Sequence, residues 1–386
     1  PRTSAYPTAK SMPSTLKTSN NKRLFANAQK VKTRRILQVI TPSHMSGAEM
    51  QLVRLTKRMT ARGHVMPVLV KSGSPAIPEM QHLGMDVDVA RIGGKVNVAA
   101  PTLIARAAKR HHVQVVQSTL SSASWWCGWM ETLGGPKSIG HVQGFTSAKW
   151  HSKQTHLLCV SNAIKQHMVD QGIDPAKITV LYNALEQDEF VPTRDPLEVR
   201  KEFGADAETP VIGTFGHLSI KKGYRELFEA IPRILNLFPT TQFWVMGTGK
   251  LREELETKAR DEGFLENVRF NGFRRDTADL MNAIDVMALP SHREPCALVY
   301  IEAALSARPI VGCQAGGAPE SIANGETGLL VPVGDGPAVA EAILTLLDNR
   351  EFASKMGEAG RERARDVFSW HRFTSTLEGV YDRVLG

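Results

Sequence analysis

The stretch SHREPCALVYIEAALSARPIVGCQAGGAPESI, residues 291–322, decides the fold class. An apolar run at 286–289 leads into it as a buried strand, and Pro290 turns the chain. Helix formers then run over 295–307, with Pro295 suited to a first helical position. A parallel strand feeding a helix leaves free N–H groups and the positive end of the helix dipole at the sheet's carboxyl edge, which suits phosphate. Glu294 stands just before the expected helix and Glu302 two turns inside it. Eight residues of helix rise about 12 Å, so the two carboxylates do not share one small site. That span fits a ligand with a phosphate centre and a hydroxyl-bearing group at each end, as in a nucleotide sugar. It exceeds the ~5–10 Å between the paired carboxylates of a glycosidase.

Outward from this stretch, short apolar runs alternate with helical patterns in both directions. Downstream, Asp335 and Pro337 open a helix with cap-like chemistry, and 370–385 is helical. Upstream, strands are expected at 211–216, 242–246 and 268–273, with a helix after Gly223 interrupted at Pro232. Gly247-Thr248-Gly249 is not a dehydrogenase fingerprint, because Arg252 occupies the third glycine position. Earlier still, 35–40, 65–70, 113–117 and 138–142 read as strands, and the segments 156–162 and 177–183 complete the first domain. Helices are expected at 48–62 and 102–111, and a small polar loop at 118–124 leads into the aromatic cluster 125–129, read as packing. Asp86 and Asp88 alternate with apolar residues, which makes them one face of a half-exposed strand rather than a metal signature. The pattern is α/β, with two Rossmann-like parallel-sheet domains. The polar segment 187–196 is the expected linker between them.

Composition bounds the function. With 386 residues, 42% apolar and 22% charged, the chain is of soluble globular type and of two-domain size. No apolar run approaches the ~18 residues of a membrane span. Cys127, Cys159, Cys296 and Cys313 form no C-x-x-C pair, which favours a reducing, cytoplasmic setting without disulfides or metal. Residues 1–35 hold nine Lys or Arg and no acid, so of the net +8 the remainder carries −1. The near-neutral remainder gives no ground for nucleic-acid binding. The 1–35 tail reads as a disordered, solvated arm, with a targeting segment or contact to an anionic membrane face as the alternatives.

Glu294 and Glu302 with seven residues between them, the Glu294-Pro295 start, Ala303-Ala304 and Gly316-Gly317-x-Pro319-Glu320 resemble the retaining GT-B glycosyltransferases. More narrowly, they are similar to the large fourth family, which includes bacterial lipopolysaccharide and exopolysaccharide enzymes. The resemblance covers about residues 35–386. It implies a GT-B fold of two domains facing a cleft: 36–188 on the acceptor side, joined by the final helix 370–386, and 189–369 on the nucleotide-sugar side. It implies transfer of a hexose-type sugar, with retention and without a metal or other cofactor, from a UDP- or GDP-sugar to a glycan or lipid-linked acceptor. Cytoplasmic location, at the inner membrane face, goes with it.

The same resemblance assigns residues. Lys222, with amides near Cys296, Ala297 and Leu298, would neutralise the donor diphosphate. Gly47 and Gly216 would allow close approach of the backbone, and Gly272 would end the strand beside the nucleobase. Glu302 would accept the ribose hydroxyls, Glu294 would orient the sugar, and His141 would line it. Gly316 and Gly317 would let a ligand approach closely. The catalytic set is then His141, Lys222 and Glu294. The chain departs from the family pattern at Ser46, where glycine is usual, at 184–186, and above all at His217, which occupies the place of a phosphate-binding arginine. Arginine is always charged and forks two oxygens, whereas imidazole is mostly neutral near pH 7 unless an anion holds its proton. A GT-B nucleotide-sugar epimerase and a non-catalytic nucleotide-sugar-binding homologue remain the alternatives.

Overall fold

A strand whose residues are all buried, such as Ile36–Ile40, needs cover on both faces and belongs inside a parallel α/β sheet. The computed structural model describes residues 32–42, 47–94 and 96–386 and contains two such sheets. In the first, β1 (Ile36–Ile40), β2 (Val68–Lys71), β3 (Val87–Ala90), β4 (Val115–Thr119), β5 (Lys137–Val142), β6 (His156–Cys159) and β7 (Ile178–Val180) lie in the order β3-β2-β1-β4-β5-β6-β7. The second holds β8 (Val211–Phe215), β9 (Gln242–Met246), β10 (Val268–Gly272), β11 (Val286–Ala288), β12 (Ile310–Cys313) and β13 (Gly328–Val331), ordered β10-β9-β8-β11-β12-β13. Every pairing in both is parallel. Strand order therefore reverses twice, between β1 and β4 and between β8 and β11. In open α/β sheets the carboxyl ends at such a switch point form a crevice for ligands.

The helix Trp370–Leu385 completes the core of the first sheet. Trp370, Phe373, Leu377 and Tyr381 pack with Ile36, Val115 and Ile139, and the Tyr381 hydroxyl donates to Gln117 Oε1 at 2.6 Å. Arg62 and His64 grip Glu378 of the same helix at 2.7 and 3.0 Å. On the other side, the Glu320 carboxylate accepts from the N–H groups of Asn162 and Ala163 at 2.7 and 2.9 Å and from the Tyr182 hydroxyl at 2.9 Å. A carboxylate from the second sheet's half thus caps the helix Asn162–Val169 of the first, where the dipole favours negative charge.

Several expectations are corrected. The helix Tyr224–Leu237 runs through Pro232 without stopping, because Tyr224, Leu227, Phe228, Ile231 and Ile234 form one fully buried stripe that outweighs a lost amide. The polar loop expected at 118–124 shrinks to Leu120, since β4 runs to Thr119 and the helix Ser121–Thr132, which carries Trp125, Trp126 and Trp129, takes up the rest. Trp125 packs edge-on against Trp126, Trp129 and Trp150, as packing requires. Asp88 is bound to Arg110 at 3.0 Å and His111 at 2.8 Å. The basic tail lies outside the described residues up to position 31, as does Ser46. Among the described residues, no helix is long and apolar enough to cross a membrane.

Candidate active site

Most of the residues singled out in the sequence gather at the two switch points. From β8 the chain passes through Gly216 and the exposed His217 into a 3₁₀ turn, Ile220–Lys222. Gly223, at φ 72°, turns it into the next helix; a Cβ there would lie 1.9 Å from the Pro290 carbonyl oxygen. From β11 the chain passes Pro290 and delivers Glu294, which is buried. The two loops meet in an ion pair, Lys222 Nζ to Glu294 Oε2 at 2.6 Å. Lys222 and Glu294, read separately in the sequence, are one ion-paired unit.

The helix after Glu294 is shorter than its composition suggests. It runs Leu298–Leu305, not from Pro295, and opens without a side-chain cap, so its first-turn amides lack a side-chain partner. The reason lies in what holds residues 294–297. Ala297 is extended (φ −73°, ψ 117°), and Asn183 Nδ2 donates to the Cys296 carbonyl at 3.2 Å. Gly317 N donates to the Glu294 carbonyl at 2.6 Å. A Cβ on Gly316 (φ +57°) would stand 2.3 Å from the Glu294 oxygen, and one on Gly317 would stand 2.2 Å from that of Pro295. The glycine pair thus makes a close approach to the 294–295 backbone, a contact that its sequence position did not disclose. Glu294 consequently precedes the helix, and the 12 Å rise does not describe its separation from Glu302. Glu302 sits mid-helix and half-buried, its pKa raised by desolvation against a smaller lowering from Arg54. Cys296 is a buried thiol, pushed up to about 12 chiefly by desolvation.

Two cavities flank Lys221, the lysine that sequence reasoning passed over in favour of its neighbour. One, of about 580 Å³, is lined by Gly216, His217, Lys221, Lys222, Thr248 and the exposed Phe273, just past Gly272. The other, of about 520 Å³, is lined by His141, Ser121, Phe145, Lys221, Arg293 and Pro295. His141 is buried at the carboxyl end of β5, its pKa lowered to about 4 by desolvation, with the Gln143 amide 3.2 Å from both ring nitrogens. It is therefore neutral at ordinary pH, a hydrogen-bonding group rather than a charge. Gly47 begins the helix Gly47–Ala61 and lies against the second half, with a Cβ there 3.4 Å from Leu298 Cδ1. Lys221 and Arg293 were missed because only the loop geometry reveals where a long side chain reaches. The Lys221-Lys222 doublet was the available signal.

Family profiles match both halves of the chain: Glycosyltransferase Family 4 over residues 45–189 and Glycosyl transferases group 1 over 209–349. The chain belongs to the family-4 glycosyltransferases. The lipopolysaccharide core biosynthesis glycosyltransferase LpsE of Rhizobium meliloti is 25% identical over 339 residues, covering 85% of this chain and 93% of LpsE. Glycogen synthase of Mycobacterium tuberculosis is 29% identical over 252 residues, 63% of this chain but only 59% of that enzyme. Among solved structures, Anabaena HepE in complex with UDP and glucose superposes with a TM-score of 0.81 at 19% identity, covering 91% of this chain and 100% of HepE. The two parallel sheets of this family-4 glycosyltransferase are those of the GT-B fold.

Proposed function

We propose that the protein transfers a hexose-type sugar from a nucleoside diphosphate, with UDP or GDP the leading candidates, to a glycan or lipid-linked acceptor with retention of configuration. The observation that carries this reading is the Lys222–Glu294 pair at the β8/β11 switch point, between the 580 Å³ cavity and the uncapped start of the helix Leu298–Leu305. The nucleotide lies in that cavity, with Phe273 and Gly272 at the base end and Glu302 on the ribose. The leaving diphosphate is met by Lys222, His217 and the amides from Cys296 to Leu298, charge stabilisation of the kind that usually supplies most of such a rate enhancement. Glu294 holds the sugar while paired to Lys222, and neutral His141 hydrogen-bonds it from the other half. No metal or cofactor is assigned a part.

The test is calorimetric titration with UDP, GDP and ADP, each with and without its sugar, followed by sugar transfer with and without chelator. Tight binding of one nucleotide, with release of free nucleoside diphosphate from its sugar only when acceptor is present, is the expected result. Conversion of the donor sugar in the absence of acceptor would instead indicate an epimerase. Activity lost to EDTA and restored by manganese would overturn the metal-free reading.

A further inference from the structure

The 520 Å³ cavity carries charge that the proposed chemistry does not use. Two of its lining residues, Arg293 and Lys221, are cations, and none is a carboxylate. His141 and His151 also line it, but burial holds both near neutrality's acidic side, at about 4, so they add no charge at pH 7. Arg293 is exposed, has no carboxylate partner among the described residues, and is nonetheless positioned. Its guanidinium lies 4.0 Å above the centre of the Phe145 ring, and its Nη2 lies 3.5 Å from His167 Nδ1. Both partners belong to the first sheet's half, while Arg293 is covalently next to Glu294. An arginine stacked this way keeps its forked donors oriented and loses less freedom on meeting an oxyanion than one that swings in water.

We propose that Arg293 and Lys221 form an anion site in this cavity that takes a phosphate or carboxylate group of the sugar acceptor. The inference rests on the nucleotide-sugar reading of the neighbouring cavity. It follows from what lines the remaining space: Ser121, Gln143 and Thr146 add neutral donors to this cavity, while Gly216 and His217 line the other. The acceptor is then an acidic sugar or polyol, bound by its charge at Arg293 and presenting a hydroxyl towards Glu294 and His141. The donor's diphosphate is the other oxyanion within reach, because Lys221 lines both cavities, and two arms of one experiment separate the sources.

In the first arm, the nucleotide that the parent binds is titrated into parent, Arg293→Gln and Arg293→Lys proteins. In the second, each nucleotide-saturated protein is titrated with glucose 6-phosphate, glycerol 3-phosphate, glucuronate and, as the neutral control, glucose. Nucleotide affinity should stay within about twofold across the three proteins. At least one acidic probe should bind the parent better than glucose, weaken roughly ten- to a hundredfold in Arg293→Gln, as for a lost charge-assisted contact, and recover only partly in Arg293→Lys. Loss of nucleotide affinity in Arg293→Gln, with the acidic probes unaffected, would assign the arginine to the donor and overturn the acceptor site. Equal binding of glucose and the acidic probes would overturn the anion site altogether. A parent that binds none of the nucleotides would refute the reading of the cleft itself, and this inference with it. A thermal midpoint in Arg293→Gln equal to the parent's shows that a loss of binding is not a loss of fold.

Discussion

At the scale of single residues, charge and burial decide what each group does. Glu302 lies half-buried on the helix Leu298–Leu305, its pKa raised by desolvation. If it receives the ribose hydroxyls, Glu302→Ala should weaken nucleotide binding by about 1.5–3 kcal/mol. Titration with UDP or GDP checks this, and an unchanged affinity would remove Glu302 from the site. The buried histidines make a different prediction. Burial lowers the pKa of both His141 and His151 to about 4, below the ~6.5 of an unfolded chain. The unfolded state therefore binds more protons between those values, and stability is lost as the pH falls through that window. By pH 5 each imidazole should cost about 2 kcal/mol, so the thermal midpoint should fall steeply between pH 7 and 5. His141→Asn and His151→Gln, which do not titrate there, should each flatten the fall; a parent midpoint equal at the two pH values would refute it.

At the scale of elements, a loop is shaped by what touches it. Gly317→Ala places a methyl group where the Pro295 carbonyl oxygen now stands, 2.2 Å from the new carbon. Overpacking of this kind costs about 1–3 kcal/mol, and here the strain falls on the two residues that carry Glu294. Gly317→Ala should therefore lower kcat more than an equally destabilising change remote from the loop, such as Leu255→Ala in the second sheet's outer helix. Kinetics and melting on the two variants decide the point; equal activity at equal stability would show that the loop absorbs the strain. The same loop shows what a sequence can disclose. Mainly apolar runs such as 36–40 and 211–215 marked buried parallel strands, and Asp335 was legible as a cap, its carboxylate accepting from Ala338 N at 2.8 Å. Gly316-Gly317 announced a close contact but not its partner, because a missing Cβ says how near a neighbour comes and nothing of what that neighbour is. Pro295 suited a helix start, yet Asn183 and Gly317, distant in sequence, keep that segment extended. Lys221 and Arg293 stayed hidden for the same reason, since reach is a property of the folded loop.

At the scale of the whole molecule, the two sheets are tied by contacts of different kinds. Glu320 is a polar tie, one carboxylate satisfying two helix N–H groups and the Tyr182 hydroxyl, whose pKa is pushed up to about 12 by burial and then by that bond. Glu320→Ala leaves those donors unpaired and should cost about 1–3 kcal/mol, without altering the secondary structure of either half. Melting and circular dichroism on that variant would test it, and an unchanged midpoint would show that water replaces the carboxylate without loss. The helix Trp370–Leu385 is the apolar tie, and it has a consequence for how the protein is made. The first sheet's strands emerge from the ribosome early, but the core of Ile36, Val115 and Ile139, begun by Leu55 and Met59, is completed by Trp370, Phe373 and Leu377. At about 5–20 residues per second, synthesis of the chain between β7 and that helix occupies roughly 10–40 s. Throughout that interval the nascent first half lacks this part of its apolar cover, while the second sheet, continuous from β8 to β13, gains all its strands before the helix appears. Folding of this protein is completed in the reverse of the order in which its halves are translated.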